Sequence, residues 1–395
     1  MSTLNSVQRK NTAKNILYFM PDCPTAFKAG NITHSLKVLH YLNETAITNT
    51  VDFLSLSDWG TWSEESINKF HTLFPNINLI LLNRKIDKKK HPIKSILFYK
   101  IPNFIIKLFK KKSIDISNPF LNNKVTKLFN SKVYDNIIIS YATWSSFVDN
   151  INYKSHLILD SHDFITAQSK HKTNKIGHLF QSEMKAARKF DEIWTFSIEE
   201  KYIFEQFTKS KVTYLPFCFH KKEITPLQKI YKYEVLYVAS INPHNYNSMQ
   251  WFISEVLPLL SKDIRIHVVG KIGETIEEHP NIIIHGMVED LQEYYDNARI
   301  TICPMLSGTG VKIKVLESLN NNIPVVTNTR GVDGLVQKKN NGCLVTEDAQ
   351  EFASSIKKLL SDDLFYVDMV KQAHNYITDN HNLDNEIQFY KQKFS

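Results

Sequence analysis

Short apolar runs recur along the chain, and longer stretches between them repeat apolar positions every three or four residues. The first run, 15–20 (NILYFM), is nearly continuous, and so are most of 51–56, 77–82, 136–141, 156–160 and 192–197. Continuous rather than alternating runs of this length mark strands covered on both faces, as in a parallel sheet. The stretches between them, 31–42 and 183–190 among others, carry helical spacing. Such alternation predicts βαβ units and a doubly wound sheet. A strand over 212–215 is followed by Pro216 and a mixed polar stretch. The alternation then restarts at 235–239, 264–269, 281–285, 300–303 and 324–327. The pattern predicts an α/β chain of two Rossmann-like parallel-sheet domains, 1–222 and 223–395. The tail, 348–395, reads as helical and can pack back on the N-terminal domain.

Composition agrees with two cores. A chain of 395 residues exceeds one ordinary core, and 43% hydrophobic content excludes disorder as the main state. Cys23, Cys218, Cys303 and Cys343 show no paired spacing, which points to a reducing cytosol rather than a zinc or disulfide framework. Residues 1–14 are polar and do not read as a signal peptide. The longest apolar runs fall far short of the ~20 residues a membrane span needs. The expectation is a cytoplasmic protein, at most peripheral on the inner face of a membrane.

Net charge is +8, and much of the excess is local: 86–112 holds nine lysines and one aspartate among Ile93, Ile96, Leu97, Phe98, Ile101, Phe104 and Ile105. Two readings stand. Lysine among aliphatic and aromatic residues suits an anionic membrane surface. It also suits a solvated helix whose apolar side packs on the N-terminal sheet. No nucleic-acid-reading motif is present, so nucleic acid is not an expected partner.

The stretch 304–335 (PMLSGTGVKIKVLESLNNNIPVVTNTRGVDGL) carries the most chemistry. After the strand 300–303 comes the turn Ser307, Gly308, Thr309, Gly310, and then a helix expected from about 311 to 321. Glycines between a strand end and a helix start let backbone approach a ligand, and free N–H groups there favour an anion. Lys312 and Lys314 place positive charge where the helix dipole prefers acids, which suggests an anionic ligand. Glu317 lies about one turn beyond Lys314, where its carboxylate could accept from ribose hydroxyls. The plain alternative is a tight strand–helix connection with an exposed lysine face and a Lys314–Glu317 pair.

Order, spacing and residue type over 304–335 resemble the donor-site signature of family-4 glycosyltransferases (glycosyl transferases group 1) with the GT-B fold. The matching positions are Gly308 to Gly310, Lys312, Glu317, 323–326 (IPVV) and Gly331. Residues 235–258 resemble the family's first C-terminal strand, loop and helix. The resemblance implies two domains with a cleft between them, the donor nucleotide-sugar on the C-terminal side and the acceptor on the N-terminal side. It implies Glu317 on the donor ribose, Lys312 at the diphosphate, and the backbone of Gly308, Thr309 and Gly310 with the helix start around sugar and phosphates. Two departures stand out. The first glutamate of the family's pair falls where this chain has Thr309. The loop 241–247 offers Asn242, His244, Asn245 and Asn247 in place of arginine and lysine, so phosphate binding leans on Lys312, with Lys314 beside it.

In the N-terminal half, Gly30 and Asn31 are the candidates for backbone approach to the donor diphosphate. The run 156–164 (HLILDSHDF) ends in a polar cluster at a strand's carboxyl end, where open α/β sheets bind ligands. There His162 matches a family histidine near the transferred sugar, and Asp163 could orient it or meet an acceptor hydroxyl. The resemblance further implies retention of anomeric configuration with no cofactor and no obligate metal. The expected partners are a nucleotide-sugar donor and a glycan or lipid-linked acceptor. A nucleotide-sugar epimerase of the same fold and a non-catalytic GT-B partner subunit are the alternatives.

Overall fold

The computed structural model describes residues 13–25, 30–46, 49–109, 113–169, 175–224 and 231–394. Contacts divide the chain into two units, Met1–Thr195 with Ile203–Thr213 and Ile387–Ser395, and Phe196–Tyr202 with Tyr214–Glu386. A single cut near 222 is therefore too simple. The chain leaves the first unit at the end of that unit's last strand, and its final residues rejoin it.

The first unit holds β1 (Asn15–Phe19), β2 (Thr50–Leu56), β3 (Ile77–Leu82), β4 (Asn136–Ser140), β5 (His156–Asp160), β6 (Glu192–Thr195) and β7 (Lys211–Tyr214). Their order is β3-β2-β1-β4-β5-β6-β7, and neighbours from β3 to β6 run parallel. All five positions of β4 and the last four of β1 are buried, which is why these strands read as continuous apolar runs. Leu17, Phe19, Ile137, Ile139 and Leu159 share one core with Trp144 and Phe147. Each such side chain contributes roughly 1.5–3 kcal/mol by leaving water.

Residues from Ile387 onward, in the helix Leu383–Phe394, close this unit. Tyr390 stacks on Tyr41 at 4.6 Å and meets the edge of Trp194 at 5.8 Å. Lys393 pairs with the buried Glu192, and Asn49 Nδ2 donates to the Phe394 carbonyl at 3.0 Å.

The second unit holds β8 (Tyr233–Val238), β9 (Ile266–Val269), β10 (Ile282–Gly286), β11 (Ala298–Cys303), β12 (Val325–Thr327) and β13 (Cys343–Val345), in the parallel order β10-β9-β8-β11-β12-β13. Both sheets therefore run outward in two directions from their first strand, the doubly wound arrangement. Strand order reverses between β1 and β4 in one sheet and between β8 and β11 in the other.

The basic segment forms a helix from Pro92 to Phe109, α-helical at both ends with a π turn over Ile96–Lys100. Pro102 cannot donate to the preceding turn, and the ladder widens just before it, with Ile101 N–H bonded to the Ile96 carbonyl. Among the described side chains of this helix, the apolar ones do not pack on the sheet, contrary to one of the two readings. Ile93, Phe98 and Phe104 are 70%, 62% and 67% exposed. Residues 110–112 of the segment lie outside the described residues.

Candidate functional site

In the second unit, the predicted donor-site residues converge at the carboxyl ends of β8 and β11, the place where open α/β sheets bind ligands. The loop after β8 enters the helix Pro243–Trp251, capped by Asn242, whose Oδ1 accepts from Asn245 N–H at 2.8 Å. The loop after β11 enters the helix Ile313–Asn320, with Lys312 at its N-cap position. The helix thus starts later than the 311 read from sequence. Lys312 precedes the first turn, and only Lys314 lies within it.

Three contacts clasp the two loops. His244 Nδ1 lies 2.8 Å from Ser307 Oγ, Leu306 N–H donates to Ser248 Oγ at 3.0 Å, and Lys314 Nζ donates to Asn245 Oδ1 at 2.9 Å. Gly308 and Gly310 have φ of +102° and +74°, which a side chain would strain. The turn is held from below: Lys312 Nζ donates to the carbonyls of Gly310 at 2.7 Å and Thr309 at 3.3 Å. Thr309 itself is exposed.

Lys314 also lies 5.1 Å from the Tyr237 ring. Burial pulls the pKa of both lysines down. Asp333 opposes that shift at Lys312, and Glu317 opposes it at Lys314. Glu317 accepts from the Tyr295 hydroxyl at 3.0 Å. Burial raises its pKa, while that hydrogen bond and Lys314 pull the other way. Two desolvated ammonium groups and a glycine turn at a helix start make a place for an anion. The carboxylate one turn away is an acceptor for hydroxyls. Tyr295 was not read from the sequence; its only signal was an aromatic pair, Tyr294 and Tyr295, before a strand.

In the first unit, His162 lies where the carboxyl ends of β4 and β5 meet the helix Gly30–Thr45. The centre of the arrangement is Asp160, the last residue of β5, which is fully buried. Its Oδ2 lies 3.0 Å from His162 Nε2 and accepts from the hydroxyls of Tyr18 and Ser140 at 3.3 Å each. Its Oδ1 lies 3.3 Å from His34 Nε2. Burial pushes the Asp160 carboxyl up, but the two imidazoles outweigh it and hold the group well below the usual carboxylate range. An ionised carboxylate only accepts, so His162 Nε2 carries a proton toward it and the tautomer is set.

His162 has φ +56° and stacks on Tyr141, itself at φ +65°, with ring centroids 4.6 Å apart. Left-handed backbone at a bulky residue costs energy and tends to mark functional sites. Asn31 Nδ2 donates to the Tyr141 hydroxyl at 2.7 Å, which ties that candidate to the same cluster. Gly30 is the first residue of its helix, and the preceding 26–29 lie outside the described residues. Asp163 is half-buried beside His162, and burial raises its pKa while His162 lowers it. Sequence reading missed Asp160 and His34. An acid closing an otherwise apolar strand was the available signal for the first.

Comparison with known proteins bears on the fold and on one segment of the second unit. Residues 232–362 match the family model described as glycosyl transferases group 1. A 163-residue stretch is 27% identical to an "uncharacterized 44.6 kDa protein in cps region" of Klebsiella pneumoniae. It covers 37% of this chain and 42% of that protein, less than half of either. Among solved structures, a sucrose-phosphate synthase from Thermosynechococcus elongatus superposes with a TM-score of 0.64 at 14% identity, covering 96% of this chain and 99% of that one. HepE from Anabaena, solved in complex with UDP, gives 0.63 at 12% identity over 96% and 99%. TarM gives 0.62 at 12% identity over 98% and 99%. The chain therefore has the GT-B fold of two Rossmann-like units, and residues 232–362 of its second unit match the glycosyl transferases group 1.

Proposed function

We propose that this chain is a retaining, hexosyl-type glycosyltransferase that moves a sugar from a nucleoside-diphosphate donor to a glycan or lipid-linked saccharide. The observation that carries the reading is the convergence of Gly308, Gly310, Lys312, Lys314 and Glu317 at the β8–β11 reversal, inside the segment that matches the family. Donor binding rests on the glycine turn and Lys312 for the diphosphate, with Glu317 on the ribose. Asn242, His244 and Asn245 shape the facing loop. In the reaction the bond from the sugar's anomeric carbon to the phosphate oxygen breaks. The acceptor oxygen bonds to that carbon from the same face, and its proton passes to the departing phosphate oxygen. Fixed cationic and N–H donors meet the charge that develops on the leaving diphosphate. No cofactor or metal enters this scheme. His162, oriented by Asp160, is assigned to the transferred sugar and Asp163 to the acceptor.

A role in bacterial-type surface polysaccharide synthesis is supported by the similarity to a protein of a cps region. Structural relatives solved with UDP-glucose, and with UDP and α-GlcNAc-glycerol, support a nucleotide-sugar donor. The reading places the chain in the cytoplasm, at the inner face of the membrane. Thr309, where the family carries its first glutamate, favours one second reading, a non-catalytic partner subunit. The test is nucleoside diphosphate release from UDP-, GDP-, ADP- and dTDP-sugars, wild type beside Glu317→Ala. Release from one donor that the substitution abolishes supports transfer. Tight donor binding with no release under any acceptor supports the partner subunit, and sugar isomerisation without an acceptor supports an epimerase.

A further inference from the structure

The helix Pro92–Phe109 is turned inside out. Among residues 92–105, whose side chains are described, those it sets toward the protein are Ser95, which is buried, and the half-buried Tyr99, Pro102 and Asn103. These recur at the four-, seven- and eight-residue spacings of one helix face. The opposite face carries Ile93, Leu97, Phe98, Ile101, Phe104 and Ile105, all between 46% and 70% exposed. Ordinary amphipathic helices bury the apolar face and expose the polar one. A contiguous exposed apolar stripe on a helix roughly 27 Å long marks a surface with a partner.

Charge decides which partner. Lys88, Lys89 and Lys90 lead into the helix, and Lys94 and Lys100 stand on or beside its exposed apolar face, all five exposed. Long lysine stems lie along apolar surface while their ammonium groups reach polar headgroups. A protein partner would more often match an apolar stripe with apolar surface and leave the lysines unpaired. An anionic bilayer satisfies both at once, because acyl chains take the stripe and acidic headgroups take the lysines. Among the described residues no helix is long and apolar enough to cross a membrane, so this one lies along a surface.

We infer that the stripe Ile93 to Ile105 of this helix docks the chain on an anionic lipid surface, with its apolar face buried at the headgroup boundary. This deepens the proposed placement at a membrane face and rests on that reading, but the test uses neither donor nor acceptor, so its failure is distinct from a failure of glycosyl transfer. The full chain is sedimented with vesicles of phosphatidylcholine alone and with phosphatidylglycerol added, for the wild type, Phe98→Ser/Phe104→Ser and Lys94→Gln/Lys100→Gln. These side chains are exposed, so the variants keep the fold, which thermal melting verifies. The wild type is expected to bind the anionic vesicles and to be released by salt. Each double variant is expected to weaken partitioning by about tenfold or more. Unchanged partitioning in the Phe98/Phe104 variant would overturn the proposal. So would a concentration-dependent wild-type dimer, seen without lipid, that the same variant dissociates, because the stripe would then be an interface between copies.

Discussion

Replacing Asp160 with asparagine keeps the volume of the side chain and removes its charge. The site offers no relief: Asp160 is 0% exposed, and its two oxygens face imidazoles at 3.3 and 3.0 Å and hydroxyls at 3.3 Å. The asparagine amide would set an N–H group against an imidazole N–H. Removing one partner of a buried ion pair costs about 3–5 kcal/mol, and because both imidazoles share one carboxylate that cost is counted once. The expected loss is therefore about 3 kcal/mol of first-unit stability. Urea melts followed by tryptophan fluorescence read it, since Trp59, Trp62, Trp144 and Trp194 belong to the first unit and only Trp251 to the second. The pH dependence gives a second signature. The folded carboxyl titrates below its unfolded value near 3.9, so the unfolded chain takes up the proton first as pH falls. The stabilisation is complete above about pH 4 and is lost as pH falls toward the folded value, a slope the asparagine variant lacks. With His162 no longer held in one tautomer, turnover is expected to fall on the order of 10²-fold. A loss below about 1 kcal/mol with an unchanged acid slope would refute the assignment of Asp160 as the charged centre of this cluster.

Other expectations follow from single contacts. Tyr295→Phe removes the hydroxyl that Glu317 accepts from at 3.0 Å, a hydrogen bond to a charged group worth about 1.5–3 kcal/mol. Donor affinity measured by calorimetry should weaken, and the loss of binding on acidification should begin at higher pH, because Glu317 loses a group that favours its ionised form. Identical donor affinity at every pH would separate Glu317 from donor binding. His381 is 1% exposed, and burial lowers its pKa to about 4, with the Phe217 carbonyl opposing. Its Nδ1–H donates to that carbonyl at 2.7 Å, leaving Nε2 to accept from the Tyr376 hydroxyl at 3.1 Å. The neutral ring must gain a proton on unfolding, so stability falls as pH drops from about 6.5 to 4, by up to about 1.4 kcal/mol per pH unit. His381→Gln should flatten that limb in circular-dichroism melts, and an unchanged limb would contradict the buried neutral imidazole.

Much of the architecture was legible because parallel strands covered on both faces write themselves as unbroken apolar runs. NIIIS and HLILD are examples, and their spans were read to within a residue. β13 was not legible, because only Cys343 of its three residues is buried, whereas the equally short β12 is buried throughout and follows the apolar Ile323 and Pro324. The glycine turn was visible because left-handed backbone selects glycine. The roles of its neighbours were less so. Lys312 reads from sequence as a helical residue, but it stands at the N-cap position without capping the helix, its ammonium bonding back to the turn's carbonyls. Asp160 looked like the polar end of a strand, since its partners lie 126 residues upstream, at His34, as well as two residues on, at His162. The helix Pro92–Phe109 shows a general limit. Spacing shows that a helix has an apolar face, but not whether that face turns toward the core.

The central claim is that the second unit grips a nucleotide-sugar for transfer, and the most direct measurement is nucleoside diphosphate release from the four-donor panel. Wild type, Lys312→Ala and Glu317→Ala are compared at matched fold. The expected result is release from one donor in the wild type, lost in both variants together with donor affinity. Release and affinity that survive both substitutions would contradict the account.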